Sequence, residues 1–489
     1  MKIKLNCTGW KSFPVYRYLA CLTGIVLLIL GACEAPTNPT YTLSFAVNGG
    51  VIPSDLSSYD QLAQDVFSGY TAGATLVARY ATADGTGDGS SWDNAGTFAD
   101  VMAGITDAAA DKVYIVLVAS GTYTHTASFA MKNNIAIVGG FTAGSFSRGT
   151  DATRFDGENT RIVFNNANLD NSALLYGVTI TKGNAGASDG GGMRNSSSSP
   201  ILKNVTISGN SSTYGGGMYN ASSSPILNNV TISGNSSTYG GGMYNASSSS
   251  PILNNVTISG NRGTSDGGGM YNASSSPILN NVTLSGNTAT SYGGGMYNQS
   301  SSSPILNNVT LSDNTATSGG GSGIYLDNAT VTLVNSIVWD NSDAGNIYVY
   351  DDSNNFETIN LYNSILEGGT TASTNATGIK LANGSPASAL TVNTSTTINT
   401  NPNLVALADN GGSVQTMAIL AGSSAADIGL YIRQKGTTFY YSSDASSWFS
   451  DLALSTAATL PADASNPIAT DARGTARSTK PDAGAFEVQ

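Results

Sequence analysis

Histidine is almost missing from this chain. His125, in "GTYTHT", is the only one among 489 residues. A Ser-His-Asp or Cys-His arrangement would have to be built on it, and no partner is spaced to do so. Cysteine is nearly as scarce: Cys7, Cys21 and Cys33 are the only three. No cysteine follows position 33, so nothing downstream can close a disulfide within the chain. Charged residues make up only 11% of the sequence. The longest apolar run, "LACLTGIVLLIL" (Leu19–Leu30), has twelve residues, whereas a helix that spans a bilayer needs about 20. The Gly-Gly-Gly runs are not followed by the Lys-Ser/Thr of a phosphate loop and do not match the GGxGxD calcium repeat, so neither metal nor nucleotide cofactor is expected.

Positive charge is also short. The net charge is −12. Without Lys2, Lys4, Lys11 and Arg17, the basic residues of the first 32, 16 basic residues face 32 acidic ones. That balance argues against binding nucleic acid through bulk charge.

What is present begins with an address. Residues 1–32 read as a secretory signal, with a basic stretch before the apolar run. "LGAC", Leu30 to Cys33, resembles the bacterial lipobox, which implies that Cys33 is acylated and becomes the new N-terminus. Two or more acyl chains suffice for a stable membrane anchor. Residues 33–42 then read as a Pro-containing tether and 43–80 as a small β-module.

The centre is a repeat. "GGGMYNASSSSPILNNVTISGN" (Gly240–Asn261) recurs with its triple glycine at Gly190, Gly215, Gly240, Gly267 and Gly293. The spacings are 25, 25, 27 and 26 residues. Within a copy, "ILNNVTIS" alternates in two short runs whose phase is reset at the Asn pair. Leu227, Val230 and Ile232 point inward in this reading and Thr231 outward. A unit this small cannot bury its apolar side alone, but stacked copies can. Each coil would rise about 4.8 Å, the strand spacing.

Equivalent residues then form ladders. Met193, Met218, Met243, Met270 and Met296 stack inside. Asn210, Asn235, Asn261, Asn287 and Asn314 close the "SGN" turns as a structural ladder. Asn tolerates left-handed backbone and can bond to its neighbour in the next coil. Tyr219, Tyr244, Tyr271 and Tyr297 follow the methionines and should face solvent as a row suited to stacking against a glycan or protein ligand. Thr206, Thr231, Thr257, Thr283 and Thr310 form a second outward row of the kind seen in ice-binding solenoids, although Thr is also an ordinary strand residue.

The fold class expected is all-β, a single-stranded parallel β-helix over residues 81–400, with near-identical repeats at 190–318 and a tail and cap over 401–489. Phe98–Ala110 reads as a short capping helix at its N-terminal end, since an open solenoid end is an exposed edge.

The period and the Asn turns resemble the right-handed, pectin-lyase-like β-helix, and the handedness rests on that resemblance. A second resemblance is carried by "DGTGDGSSWDNAGTF" before the first coil, by the array, and by the tail motifs "LADNGGSVQTMAILAGSSAADIG" (Leu407–Gly429) and "TDARGTARSTKPDAGAFE" (Thr470–Glu487). Together these resemble bacterial choice-of-anchor Q proteins and, more loosely, chlamydial polymorphic outer membrane proteins. The likeness implies a secreted or surface-displayed β-helix. The FxxN repeats of the chlamydial proteins are not matched: a lone "FAVN" (Phe45–Asn48) lies outside the array. No C-terminal membrane barrel is legible either, so self-export is not expected.

Catalysis on a β-helix needs clustered carboxylates on neighbouring coils. From Gly190 to Ser312 the only charged residues are Arg194, Lys203, Arg262 and Asp266, and no catalytic residue is assigned. Acidic residues gather at Asp151, Asp156 and Glu158, with Arg154 among them, and again at Asp340, Asp343, Asp351 and Asp352. The expectation is a lipid-anchored protein of the bacterial cell envelope, at the outer membrane or cell surface. It would be non-enzymatic and adhesive, with a glycan or a host or neighbour-cell ligand. A polysaccharide lyase or hydrolase with its site on coils 110–180 or 325–400 is the alternative, and a structural spacer the third reading.

Overall fold

A computed structural model of the chain describes residues 75–442, apart from 146, 150, 343–344, 351–356, 374–375, 383–389, 396, 411–413, 419–422, 426–430 and 436–437. The signal segment, Cys33, the tether, positions 43–74, the acids Asp343, Asp351 and Asp352, and the 470–487 motif lie outside the described residues. The chain forms an all-β parallel solenoid in which successive coils pair strand on strand. The hairpin of Tyr431–Lys435 with Thr438–Ser442 is an antiparallel exception. The described residues fall into two compact units.

The first unit runs up to Phe155 and includes Leu169–Thr179 and Pro200–Lys203. Thr75–Ala81 pairs with Lys112–Ala119, which pairs with Ile135–Phe141, then Leu174–Tyr176, then Ile201–Lys203. Among the described residues, pairing is seen from Thr75, inside the stretch read as a separate β-module, and that strand runs across the boundary drawn at residue 80. The helix spans Phe98–Gly104 only, not Phe98–Ala110. Thr97 caps it, accepting from the Asp100 amide at 3.2 Å while its hydroxyl donates to the Asp100 carboxylate at 2.6 Å. Gly104 weakens the next turn, and Lys132 Nζ donates to the carbonyls of Met102 and Ile105 at 2.5 and 2.8 Å, closing the helix end. The helix buries Phe98, Val101 and Met102. The Phe98 ring packs on Phe155 at 4.8 Å, Phe129 at 5.4 Å and Tyr123 at 6.5 Å.

The second unit holds the repeats. Its copies stack residue on residue. Met218 pairs with Met243, which pairs with Met270 and then Met296. Ile226–Ser233 pairs with Ile252–Ser259, which pairs with Ile278–Ser285, without slippage. A third set of short strands, Ser211–Tyr214, Ser236–Tyr239 and Arg262–Asp266, completes each coil. The inward ladders are closed to solvent: Met218, Leu227, Val230 and Ile232 are each 0% exposed.

The bend between the two halves of "ILNNVTIS" is made by the second Asn of the pair. Asn229, Asn255, Asn281 and Asn308 take φ of 53 to 55°, a region Asn enters more readily than most residues. The left-handed residue at the "SGN" turn is glycine, with Gly209, Gly234, Gly260 and Gly286 at φ 61 to 66°. The ladder residues Asn210, Asn235, Asn261, Asn287 and Asn314 are not among the positive-φ residues, which corrects the expectation that they supply the left-handed turn. Their amides are needed for a different task.

The triple glycine is a close-approach device. A Cβ on Gly216 would lie 2.5 Å from the Ser236 carbonyl oxygen and 2.6 Å from that of Gly241. Coils meet backbone to backbone there, and only glycine fits.

Candidate ligand face: two tyrosine columns

The strand that starts at each methionine alternates in and out. Met218 and Asn220 are buried, and Tyr219 between them stands on the outer side. Because the coils are in register, the outward tyrosines form one column. Its rings stack nearly parallel: Tyr219–Tyr244 at 5.6 Å and 17°, Tyr244–Tyr271 at 4.7 Å and 13°, Tyr271–Tyr297 at 4.5 Å and 15°. Tyr325 and Tyr348 continue it at 4.7 Å and 5.5 Å. Parallel stacking along the solenoid axis turns each ring face onto its neighbour, leaving edges and hydroxyls for solvent.

The column is less open than the sequence implies. Tyr219 and Tyr244 are half-buried, but Tyr271 and Tyr297 are 6% and 7% exposed. They are covered by a second set that sequence reading missed, the residue just before each triple glycine: Asp189, Tyr214, Tyr239, Asp266, Tyr292. Tyr214 pairs with Tyr239 and Tyr239 with Asp266. Tyr214 and Tyr239 stack at 5.3 Å, and each turns its ring against the first column: Tyr214 on Tyr244 at 5.2 Å and 74°, Tyr239 on Tyr271 at 5.8 Å and 78°. Tyr292 leans on Tyr325 at 4.6 Å. The signal was legible in "TYGGG" and "SDGGG", had that position been aligned as a ladder of its own.

Burial sets the chemistry of these phenols. It pushes the Tyr244 hydroxyl up to about 12, with the neighbouring tyrosines adding to it. Burial likewise raises Tyr271, Tyr297 and Tyr325 well above the ordinary tyrosine value. The phenols are neutral hydrogen-bonding groups at physiological pH. Burial also raises Asp266, against the opposing effect of Ser265 and the Tyr292 amide. Asp189 is raised by burial and lowered by Arg194.

Asparagine forms the hidden counterpart. The expected ladder is continuous: each side-chain Nδ2 donates to the next Oδ1, from Asn210 to Asn235 at 2.9 Å through to Asn287 to Asn314 at 2.9 Å. A second buried ladder, Asn195, Asn220, Asn245, Asn272 and Asn298, was not anticipated, and its links are 2.8 to 2.9 Å. It lies beside the first tyrosine column in sequence and on the opposite side of the strand.

The outward threonine row is not a free flat surface. Thr257, Thr283 and Thr310 are at most 1% exposed. Thr257 donates its hydroxyl to the Gln415 carbonyl, so the tail motif lies over this face. Further along, Ala425 packs with Ile337, Trp339 and Ile365, joined by Ile398, Leu404 and Ala418.

The acidic groups of the less regular coils are not all separate: the Asp340 amide donates to the Glu367 carboxylate at 2.9 Å, and the Asp313 carboxyl is raised by burial and by the nearby Asp340. Asp156, 4% exposed, accepts from Lys182 Nζ at 2.8 Å and the Glu158 amide at 2.7 Å, and Glu158 pairs with Arg161 at 2.5 Å. Asp151 and Arg154 are exposed. His125 is exposed, and its Nδ1 accepts from the Ala127 amide at 3.1 Å. Among the described residues, no three His, Cys, Asp or Glu side chains are grouped so as to hold a metal ion.

No family model matches the chain. No curated protein matches it. Among solved structures it is similar to the crystal structure of a pectate lyase, Pel9A, at 13% identity and a TM-score of 0.42, covering 87% of this chain and 98% of that one.

Proposed function

We propose that the chain is a non-catalytic, lipid-anchored β-helix of the bacterial cell envelope that presents its double tyrosine column for adhesion to a glycan or protein ligand. The observation that supports this is the regular outward tyrosine column, one ring per coil, beside a flanking row of Tyr and Asp. An array with four charged residues between Gly190 and Ser312 has little material for acid-base chemistry. Anchoring rests on the "LGAC" at Leu30–Cys33, and kinship with choice-of-anchor Q proteins rests on the tail motifs.

The stacked geometry changes how such a face would bind. Ring faces are occupied by other rings, so contact falls to edges, hydroxyls and the half-buried tyrosines Tyr214, Tyr219 and Tyr239. The test is binding of the soluble chain from Glu34 onward to glycan arrays and extracellular-matrix proteins, beside a variant with those three tyrosines changed to Ser. Binding that is lost in a folded variant supports adhesion through this face. Binding that survives unchanged, or no binding by either form, overturns it.

A further inference from the structure

The oxidisable side chains that solvent reaches on the array are its tyrosines. Between Gly190 and Ser318 the sequence holds no Cys, His or Trp. Met193, Met218, Met243, Met270 and Met296 are each 0% exposed, and oxidation of sulfur side chains follows their exposure. Tyr214, Tyr219, Tyr239, Tyr244 and Tyr292 are half-buried, whereas Tyr271 and Tyr297 are closed off. A one-electron oxidant arriving at this face therefore meets phenols, each with a second phenol beside it.

The contacts within and between columns differ in what they permit. Coupling of two phenoxyl radicals joins carbons ortho to the oxygens, and the joined rings lie end to end. Rings stacked face to face within a column, such as Tyr219 on Tyr244 at 17° and Tyr214 on Tyr239 at 14°, must slide out of the stack to reach that arrangement. Their strands also hold them at the strand spacing, about 4.8 Å, which is closer than end-to-end rings allow their β-carbons. Between columns the approach is different. Tyr214 and Tyr244 leave different strand sets and meet edge to face, with ring centres 5.2 Å apart at 74°. One ring already directs its rim at the other. Tyr239 meets Tyr271 similarly at 5.8 Å and 78°, and Tyr292 meets Tyr325 at 4.6 Å, but Tyr271 and Tyr325 are only 6% and 3% exposed. In the Tyr214–Tyr244 pair both rings are half-buried.

We infer that Tyr214 and Tyr244 form a modification site: an oxidative dityrosine link between adjacent coils, with a one-electron oxidant of the peroxidase ferryl-haem class as co-reactant. Each phenol gives one electron to the oxidant and its hydroxyl proton to water. The two radicals form one carbon–carbon bond between ortho carbons, and the two ortho hydrogens then move to the oxygens. The net change is the loss of two protons and two electrons, the electrons taken up by two oxidising equivalents. The link closes a loop of the chain between 214 and 244 and so restricts the unfolded state. It holds or fails independently of what the face binds.

The test uses the methionine that precedes each tyrosine of the first column. The full chain from Glu34 onward is illuminated at high dilution with tris(bipyridine)ruthenium(II) and persulfate, which together generate a one-electron oxidant. The monomer is then cleaved after methionine with cyanogen bromide. Tyr214 and Tyr244 are the only tyrosines of fragments 194–218 and 244–270, which are not neighbours in the chain. Mass spectrometry should find these two fragments joined, with dityrosine fluorescence. The joined pair should be lost in Tyr214→Phe and in Tyr244→Phe, which keep the rings, and retained in Tyr219→Phe, with circular dichroism confirming each fold. A link within a column gives a different product: Tyr214 to Tyr239 joins 194–218 to 219–243, and Tyr219 to Tyr244 joins 219–243 to 244–270. Monomer without dityrosine, a predominance of links within a column, or the expected pair forming equally well in urea overturns the site. Glycan or matrix binding that persists beside any of these results leaves adhesion standing and removes only this site.

Discussion

Asn261 gives two hydrogen bonds to a single atom of Asn287: its backbone amide and its side-chain Nδ2 both reach Oδ1 of Asn287 at 3.0 Å. The same Nδ2 also donates to the Ile232 carbonyl at 2.9 Å. One side chain thus links three coils at a buried turn, and the next copy repeats the arrangement.

Asn261→Ala should be among the most damaging single changes in the array. It removes the acceptor of the Asn235 amide and of one Asn235 Nδ2 bond, and it loses the side-chain bonds to Asn287 Oδ1 and the Ile232 carbonyl. Leaving buried donors unmet costs about 1–3 kcal/mol each. A urea-midpoint comparison should place this variant well below Ser233→Ala, a change on the half-buried outer side of the same face.

Two glycines seven residues apart should respond differently to alanine. A Cβ on Gly241 would sit 2.5 Å from the Gly268 carbonyl oxygen and 2.6 Å from the Arg262 carbonyl carbon, so Gly241→Ala should block assembly of the array. Gly234 has no atom within 4 Å of such a Cβ but holds φ +61°, so Gly234→Ala should fold with a loss of about 1–2 kcal/mol. Soluble yield and thermal melts separate the two outcomes.

The tyrosine columns predict alkaline sensitivity. The folded state raises Tyr244 to about 12, above the ordinary value of 10.0. A group raised on folding stabilises the fold fully below its unfolded pKa and loses that contribution as pH rises through the folded value. Stability should therefore be unaffected by these phenols from pH 6 to 9 and fall from about pH 10 upward. Absorbance at the phenolate band against circular dichroism checks this: late ionisation that coincides with unfolding is expected, and free titration near pH 10 in a folded chain would contradict it.

The tail should detach before the coils do. Ala425 is 0% exposed against Ile337, Trp339 and Ile365. Ala425→Arg forces an unpaired cation into that contact. Trp339, now 8% exposed, should report it by a red-shifted emission component. Proteolysis in the 397–425 stretch should accelerate while the repeats remain protected.

The sequence determined the coil on its own. Near-identical copies at a 25- to 27-residue period fix parallel, in-register stacking, because only that arrangement lets every copy bury the same Met, Leu, Val and Ile. The "SGN" asparagine ladder was legible for the same reason: a polar residue repeated beside buried ones must bond to its own copies. Helix length, the left-handed positions and the fate of the outer faces were decided by tertiary structure. Gly104 and the Lys132 amine end the helix early. The left-handed turn falls to glycine because Asn261 and its equivalents spend their amides between coils. Alternation can say that Tyr271 and Thr257 point outward, but it cannot say what lies over them. Tyr239 covers the first and the returning tail covers the second. Both are contacts between residues that no local period connects.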